Sequence, residues 1–479
     1  MLETCFQKTP IMPTYVFTFA VTKGFVRVTK HSKKPHLLPD HSQIFVKKNV
    51  KKLEWMLDEA RNITTHLTQL TNTSFPMKRM SFIVTSPSAF WGVENFGLVT
   101  LDAGWMTDPS YDEAHYVLVH EIIHQWLGNL FTINYWDEIC LQEGLTNYLM
   151  WRVASDLTLT TTPLAESISK AKLDAYRQEE FNSQAIIQPF GDTQQIADKC
   201  FTKPSAIFAM IEQTFGPETI DHFMAHMSKT YAFQNAGLQE WKKAFAAVSE
   251  KSVAGDMIEK WFTQAGYPVL IASRTENTIF VTQKVFEKNR NLTDDTFFPV
   301  LIEIAGSSGH QPESQFISES KKGIKFEINS DEAWYLIDPE NKIFGRRVYT
   351  VKNYAALAEA TLTETQLKTT LMDFCWALMY DQFPLPNDPF DNATWSGVFE
   401  KVLQLVEKEK DYVFNNCACC MKTKDQILND NHPFNSCKNT WSQTCQGLKI
   451  IKLTGRDFKL ALPKSHKGQF SFDAIPIQI

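Results

Sequence analysis

The sequence contains no run of about 18 consecutive apolar residues, so it predicts no helix that spans a membrane. It also lacks a basic excess: the formal net charge is -6, which gives no reason to expect nucleic acid as a partner. The opening residues, MLETCFQKTP, have neither the basic start nor the apolar core of a signal peptide. What remains is an ordinary globular composition, 43% hydrophobic and 21% charged over 479 residues, and this length predicts two to four domains.

The stretch HEIIHQWLGNLFTINYWDEICLQE, from His120 to Glu143, carries the clearest chemical signal in the chain. His120 and His124 are four residues apart, so on a helix both imidazoles project from one face at the spacing of two ligands to one metal ion. A catalytic zinc site needs a third protein ligand and one open position, and Glu143 is the candidate. Glu121 lies beside the histidines, where a carboxylate can act as a general base. The pattern predicts one zinc ion per chain.

Two helices are predicted around this motif. The first carries the histidines, and Gly128 with Asn129 signals the turn that follows it. The second is predicted from the helical spacing of four apolar positions, Ile139, Leu141, Leu145 and Leu149.

At this point the sequence resembles a known family. HEIIHQWLGNLFT followed by WDEICLQEGLTNYL is similar to the signature of the gluzincin aminopeptidases, the family of membrane alanyl aminopeptidase. Upstream, WGVENFG, from Trp91 to Gly97, resembles the family's GAMENWG loop. Further stretches in the family's order, such as TPIMPTYVFTFAV, YAFQNAGLQEW and VEKEKDYVFNNCACC, extend the resemblance over nearly the whole chain.

The resemblance implies a substrate-binding loop made of Gly92, Val93, Glu94 and Asn95. In the family, the glutamate of this loop holds the free amino terminus of the substrate, a role that falls here on Glu94. A buried carboxylate favours a protonated amine and leaves an internal peptide segment without a charged partner. The implied partners are therefore peptides with a free amino terminus.

The mechanism that the resemblance implies is metal-assisted hydrolysis. Zinc would activate a water molecule, and Glu121 would take its proton and pass it to the leaving amine. The sequence departs from the family at Phe201, in CFTKPSAIFAMI, where the family carries a tyrosine that stabilises the oxyanion. Because phenylalanine has no donor, we expect turnover lower by a factor of about 100 to 1,000 unless another group substitutes.

The fold class expected from the periodicities and the resemblance is multidomain α+β. Residues 1–30 would be a remnant of an amino-terminal β domain, and 31–265 a thermolysin-like, mostly helical zinc catalytic domain that opens with an amphipathic helix over about 43–70. Alternation of apolar and polar residues predicts a small β-sandwich over 266–350. Residues 351–479 would begin an α-helical superhelix, so relative to the family the chain is expected to be truncated at both ends.

Nine cysteines and four sequons indicate in which cellular compartment the protein is found. Five cysteines crowd one segment, where disulfides are favoured over a second zinc site: Cys417, Cys419, Cys420, Cys437 and Cys445. The sequons, which predict a glycoprotein, are at Asn62, Asn72, Asn291 and Asn392. Together with the resemblance, they imply an extracellular or membrane-associated protein, although this sequence shows neither a signal peptide nor an anchor.

Three functions remain open at the level of sequence. The first is a zinc aminopeptidase, supported by the complete ligand set together with Glu121 and Glu94. The second is a catalytically impaired homologue that binds zinc and peptide, favoured by Phe201 and by the altered start of the loop at Trp91. The third is a zinc endopeptidase, which would not need Glu94. Oligomeric state and side-chain preference are not predicted.

Overall fold

The computed structural model describes residues 8–29, 42–50, 52–85, 90–189, 199–249, 252–286, 292–293, 296–309, 311–317 and 323–380. These residues are a mixture of helices and sheets, as the predicted α+β class requires. They fall into two compact units that divide between Ala265 and Gly266. No helix in the described part of the chain has both the length and the apolar character needed to cross a membrane.

A five-stranded sheet forms one part of the first unit. Its strands are β1 (Phe25–Thr29), β2 (Gln43–Lys47), β3 (Ser81–Thr85), β4 (Gly92–Val93) and β5 (Leu98–Asp102). Their order is β1-β2-β3-β5-β4, with β2, β3 and β5 parallel and the two outer strands antiparallel to their neighbours. The start of the predicted substrate loop therefore lies in an edge strand.

The predicted helix over about 43–70 is wrong at its beginning. Residues Gln43–Lys47 form β2, in which Ile44 and Val46 are fully buried on alternate positions, and the helix begins only at Glu54. Pairing with strands on both sides decides the conformation of this segment, because it satisfies the backbone polar groups of β2. Of the β structure expected over residues 1–30, Phe25–Thr29 forms β1, whereas Thr14–Val16 is a short 3-10 helix.

Nine described helices complete the first unit. They are α1 (Glu54–Thr71), α2 (Ala103–Met106), α3 (Asp112–Ile123), α4 (Ile139–Asp156), α5 (Leu164–Asn182), α6 (Lys203–Phe215), α7 (Glu218–Thr230), α8 (Leu238–Val248) and α9 (Ser252–Thr263). A 3-10 helix, Trp136–Glu138, precedes α4, and β6 (Phe131–Thr132) pairs in parallel with β7 (Gln234–Asn235).

Helices α3 and α4 lie at the centre of this unit. α4 packs against α3, α5 and α6, and its residues are buried almost all round, as expected of a core helix. The two helices predicted around the histidine motif are thus confirmed. Gly128 follows α3 with a φ of 114°, a left-handed conformation that favours glycine, so the predicted turn is confirmed as well.

A partly buried ion-pair group ties α4 to α6 and α7. The guanidinium of Arg152 pairs with the carboxylates of Glu212 on α6 and Asp221 on α7. The hydroxyl of Tyr148 donates a hydrogen bond of 2.7 Å to Glu212 Oε1. These contacts hold α4 in a defined rotation about its axis.

The second unit is built from short strands followed by helices. Its elements are β8 (Tyr267–Thr275), β9 (Thr278–Phe286), β10 (Leu292–Thr293), β11 (Val300–Ile302), β12 (Ile304–Gly306), β13 (Gln315–Ile317), β14 (Gly323–Glu327), β15 (Tyr335–Ile337), β16 (Arg346–Tyr349), α10 (Val351–Glu359) and α11 (Glu364–Met379). One sheet runs β10-β9-β8-β16, with β14 also paired to β9, while β11 pairs with β13 and β12 with β15. The strands predicted from alternation are present.

Some predictions fall on residues outside the described part of the chain. They are the five cysteines of the predicted disulfide segment (Cys417, Cys419, Cys420, Cys437 and Cys445) and the sequons at Asn291 and Asn392. The two remaining sequon asparagines, Asn62 and Asn72, are exposed.

Candidate active site

Three predicted ligand residues come together between α3 and α4. Nε2 of His120 lies 3.0 Å from Nε2 of His124. One oxygen of Glu143, Oε2, lies 3.4 Å from each of these nitrogens. One atom from each residue therefore falls within 4.8 Å of the others, an arrangement that could hold a metal ion. Two imidazoles and one carboxylate are the donor set of a catalytic zinc site.

Neighbouring groups orient two of these side chains. Nδ1 of His124 lies 2.9 Å from the carbonyl oxygen of Leu127, to which it can donate, and this leaves the lone pair of Nε2 free. The amide of Gln142 donates to Glu143 Oε1 over 3.3 Å, so that Oε2 faces the histidines. Such partners fix the tautomer of the ring and the rotation of the carboxylate.

The electrostatics of the cluster favour a cation. Burial lowers the pKa of His124, but the carboxylates of Glu143, Glu94 and Glu121 outweigh burial and raise it to about 10. Burial lowers the pKa of His120 below its ordinary value. The surroundings of His124 thus call for positive charge, which a metal ion supplies as well as a proton does.

Glu121 lies on α3 with its carboxylate enclosed. Its residue is only 6% exposed, and among the described residues Oε2 has no hydrogen-bond partner. Burial, followed by repulsion from Glu94, raises the pKa of Glu121 well above its usual value. A buried carboxylate oxygen without a protein partner is free to accept a proton from a bound molecule.

The loop from Gly92 to Asn95 reaches the same cluster. Gly92 approaches so closely that a Cβ at this position would lie 2.3 Å from Glu121 Oε1. Val93 follows in β4, and Asn95 Oδ1 accepts a hydrogen bond of 3.2 Å from the hydroxyl of Thr100. Burial raises the pKa of Glu94, and the nearby Glu143 carboxylate raises it further.

The side chain of Phe201 lies beside His120. Its ring centroid is 5.9 Å from that of His120. The amide of Asn147, on α4, donates to the carbonyl of Phe201 over 2.8 Å and holds this backbone in place. The predicted transition-state position is therefore filled by a ring that offers no hydrogen-bond donor.

Two features near the cluster were missed by the sequence analysis. Cys140, at the start of α4, forms a disulfide with Cys200, which precedes Phe201. No spacing rule signals a pair that is 60 residues apart. The second feature is Tyr15, whose hydroxyl donates to the carbonyl of Gly128 over 3.0 Å. Burial and the Glu94 carboxylate raise its pKa well above the usual value.

Comparisons with known proteins agree with the motifs. Residues 55–261 match the model of the Peptidase family M1 domain. The chain is 25% identical to Matrix non-peptidase homolog 1 of Caenorhabditis elegans over 395 residues, which cover 80% of this chain and 47% of that protein. It is 24% identical to Probable aminopeptidase 1 of Saccharolobus solfataricus, over 88% of this chain and 55% of that protein. For Aminopeptidase N of Oryctolagus cuniculus the identity is 23%, with 76% and 40% covered.

The family resemblance predicted from the histidine motif and the WGVENFG loop is thus confirmed. The chain spans about half the length of these curated relatives. The activity and the substrates of this chain are therefore proposals.

Proposed function

We propose that this chain, a member of peptidase family M1 through residues 55–261, is a zinc aminopeptidase that removes amino-terminal residues from peptides. The observation that carries the proposal is the cluster of His120, His124 and Glu143, whose ligand atoms lie within 4.8 Å of one another. An oriented Nε2 on His124 and a single facing oxygen on Glu143 suit a zinc ion held by three protein ligands.

When bound, zinc supplies Lewis acidity, which lowers the pKa of water toward neutrality and polarises a peptide carbonyl. Glu121 acts as the general base in this proposal: it takes the proton of the attacking water and delivers it to the leaving amine. Its unpartnered, buried oxygen and raised pKa suit this role, because a carboxylate that binds a proton more readily than usual is the better proton acceptor.

Glu94 makes the proposed enzyme an exopeptidase. Its carboxyl group lies in the same electrostatic cluster as Glu121 and Glu143, so a protonated amine bound there would lie among several acidic side chains. Gly92, Val93 and Asn95 complete the binding loop. Peptides with a free amino terminus are therefore the proposed substrates, whereas an endopeptidase would bind an acetylated peptide as well as a free one.

A second candidate is a catalytically impaired homologue that binds zinc and peptide. Phe201 supports it, since its ring lies beside His120 where a tyrosine hydroxyl would serve the oxyanion. One relative also carries the name of a non-peptidase homologue. In this case zinc and peptide would bind while hydrolysis stayed low by a factor of about 100 to 1,000.

One experiment separates the two candidates. The purified protein, its zinc content measured, is assayed on a panel of amino-acid anilides beside Glu121→Gln and Phe201→Tyr. Stoichiometric zinc with hydrolysis that Glu121→Gln abolishes would support the aminopeptidase. Stoichiometric zinc with hydrolysis appearing only in Phe201→Tyr would support the impaired homologue. A wild-type protein that binds no zinc would refute both.

The compartment and the domain order also belong to this proposal. A disulfide beside the site and exposed sequons at Asn62 and Asn72 suit an extracellular or membrane-associated location. We assign the thermolysin-like catalytic domain to residues 31–265, the β-sandwich to 266–350 and the beginning of the helical superhelix to 351–479.

A further inference from the structure

Gln125 is a fully buried residue, one position after His124, whose amide contacts three backbone groups. Its Nε2 donates to the carbonyl of Glu94 over 2.9 Å and to the carbonyl of Glu121 over 3.2 Å. Its Oε1 accepts a hydrogen bond of 3.0 Å from the backbone N–H of Gly97. One side chain thus joins the helix of the histidines to both ends of a four-residue stretch of the loop.

Asn129 adds a second donor to the same place. Its Nδ2 lies 2.7 Å from the carbonyl oxygen of Glu94. The two lone pairs of that oxygen are therefore used by two buried amides, Gln125 at 0% and Asn129 at 1% exposure. A buried carbonyl with both acceptor sites filled is held more firmly than one with a single partner, because any displacement leaves a polar group unsatisfied.

These contacts set the distance between the backbones of Glu94 and Glu121, and this distance matters for the proposed reaction. The amide of Gln125 links the backbone of Glu94, the proposed amine anchor, directly to the backbone of Glu121, the proposed base. The spacing between the two decides which peptide bond lies at the base when an amino terminus is anchored. Small displacements of groups at a catalytic centre have large effects on the reaction rate.

We infer that Gln125, supported by Asn129, is the positioning residue that holds the Glu94 loop at a set spacing from Glu121 and so restricts the cleft to peptides with a free amino terminus. The inference rests on the proposed role of Glu94. Gln125 itself touches no substrate in this scheme, since its three hydrogen bonds within the described part of the chain all go to backbone groups.

The test measures binding, so that it does not depend on turnover. In a Glu121→Gln background, dissociation constants are determined for short peptides with different first residues, each with a free and with an acetylated amino terminus. The variant Gln125→Met removes all three hydrogen bonds at nearly constant length. Gln43→Met is the matched control: Gln43 is also buried, donates to the hydroxyl of Ser81 over 3.1 Å, and lies on β2.

We expect the parent, which is the Glu121→Gln protein, to bind peptides with a free amino terminus more tightly than acetylated ones. Adding Gln125→Met should lower that preference by about tenfold or more. Zinc content and the thermal unfolding midpoint of Gln125→Met should match those of Gln43→Met, which should keep the parent's preference. If Gln125→Met does not fold, Asn129→Ala, which removes one donor to the Glu94 carbonyl, should lower the preference in the same direction.

Two other results are decisive. In the first, the Glu121→Gln parent favours peptides with a free amino terminus, and folded Gln125→Met keeps that preference to within a factor of about two. This result would overturn the positioning role of Gln125 and leave the proposed function standing. A parent without any preference would overturn the anchor role of Glu94, and the inference with it.

Discussion

Nδ1 of His124 lies 2.9 Å from the carbonyl oxygen of Leu127, and this contact decides which face of the imidazole is available. A carbonyl can only accept, so the proton resides on Nδ1 and the lone pair on Nε2 points toward His120 and Glu143. The turn after α3 thus leaves Nε2 of His124 available as the proposed metal ligand. In the metal-free protein the same nitrogen is the place where a second proton binds.

Zinc uptake should therefore release protons. Because the neighbouring carboxylates raise the pKa of His124 to about 10, the metal-free protein carries a proton on Nε2 at pH 7, and zinc must displace it. The apparent affinity should rise by about tenfold per pH unit below that pKa. Calorimetric titration in two buffers with different ionisation enthalpies measures the released protons. His66→Gln, outside the cluster, should behave like the wild type, whereas a heat independent of the buffer would contradict the prediction.

Gly92→Ala should displace the carboxylate of Glu121. The added Cβ would lie 2.3 Å from Oε1 and 2.6 Å from Cδ, so the side chain must move. We expect a loss of about 1 kcal/mol or more in the free energy of unfolding, together with a fall in any hydrolysis and retained zinc. Gly323→Ala is the control, since its nearest neighbouring atom is 3.4 Å away. Unchanged hydrolysis in Gly92→Ala would argue against Glu121 as the base.

Removing the disulfide should destabilise the protein while its metal ligands remain. Cys140 and Cys200 are 60 residues apart, and the chain-entropy model assigns about 4 kcal/mol to a loop of that length. Denaturant unfolding of the Cys140→Ala/Cys200→Ala double variant measures the loss, and peptide mapping by mass spectrometry establishes the pairing in the wild type. A wild type in which these cysteines are free thiols would contradict both the pairing and the oxidising compartment proposed for the chain.

Stability should depend on pH through His115. Its Nδ1 lies 2.9 Å from Glu59 Oε2 and its Nε2 lies 2.8 Å from the carbonyl oxygen of Pro109. The hydrogen bond to Glu59 raises the pKa of His115, with burial opposing it. A raised pKa means that the charged form is favoured by folding, so this stabilisation is complete below the ordinary pKa of about 6.5 and is lost as the pH rises through the folded value.

We expect the loss to amount to about 1.5–3 kcal/mol, the usual range for a hydrogen bond to a charged group. Urea unfolding of the wild type and of Glu59→Gln between pH 6 and 9 measures it as a difference that narrows toward high pH. Two curves that run parallel over this range would show that His115 is not the group responsible.

The predicted and the observed structure differ most clearly where local propensity competes with tertiary contacts. The helix predicted from about residue 43 begins instead at Glu54, because Gln43–Lys47 finds strand partners on both sides. Propensity and periodicity describe a segment alone, whereas a strand takes its hydrogen bonds from segments that are distant in sequence. The pairing of Cys140 with Cys200 is not predicted from the sequence for the same reason.

The sequence by itself determined the chemistry available to this protein. The four-residue spacing of His120 and His124 places two imidazoles on one helical face, and this local geometry needs no tertiary contact. Apolar periodicity likewise predicted α4. The resemblance to the family followed from the same motifs, since they combine residue type with spacing.

Only the tertiary structure decided how those groups face one another. It brings Glu143 Oε2 to 3.4 Å from both histidines, sets Gly92 against Glu121, and lays the ring of Phe201 beside His120. These relationships depend on the packing of α4 against α3, on the edge position of β4 and on the disulfide. The physical reason is that side-chain distances across elements follow from packing between them, which no pattern within one element contains.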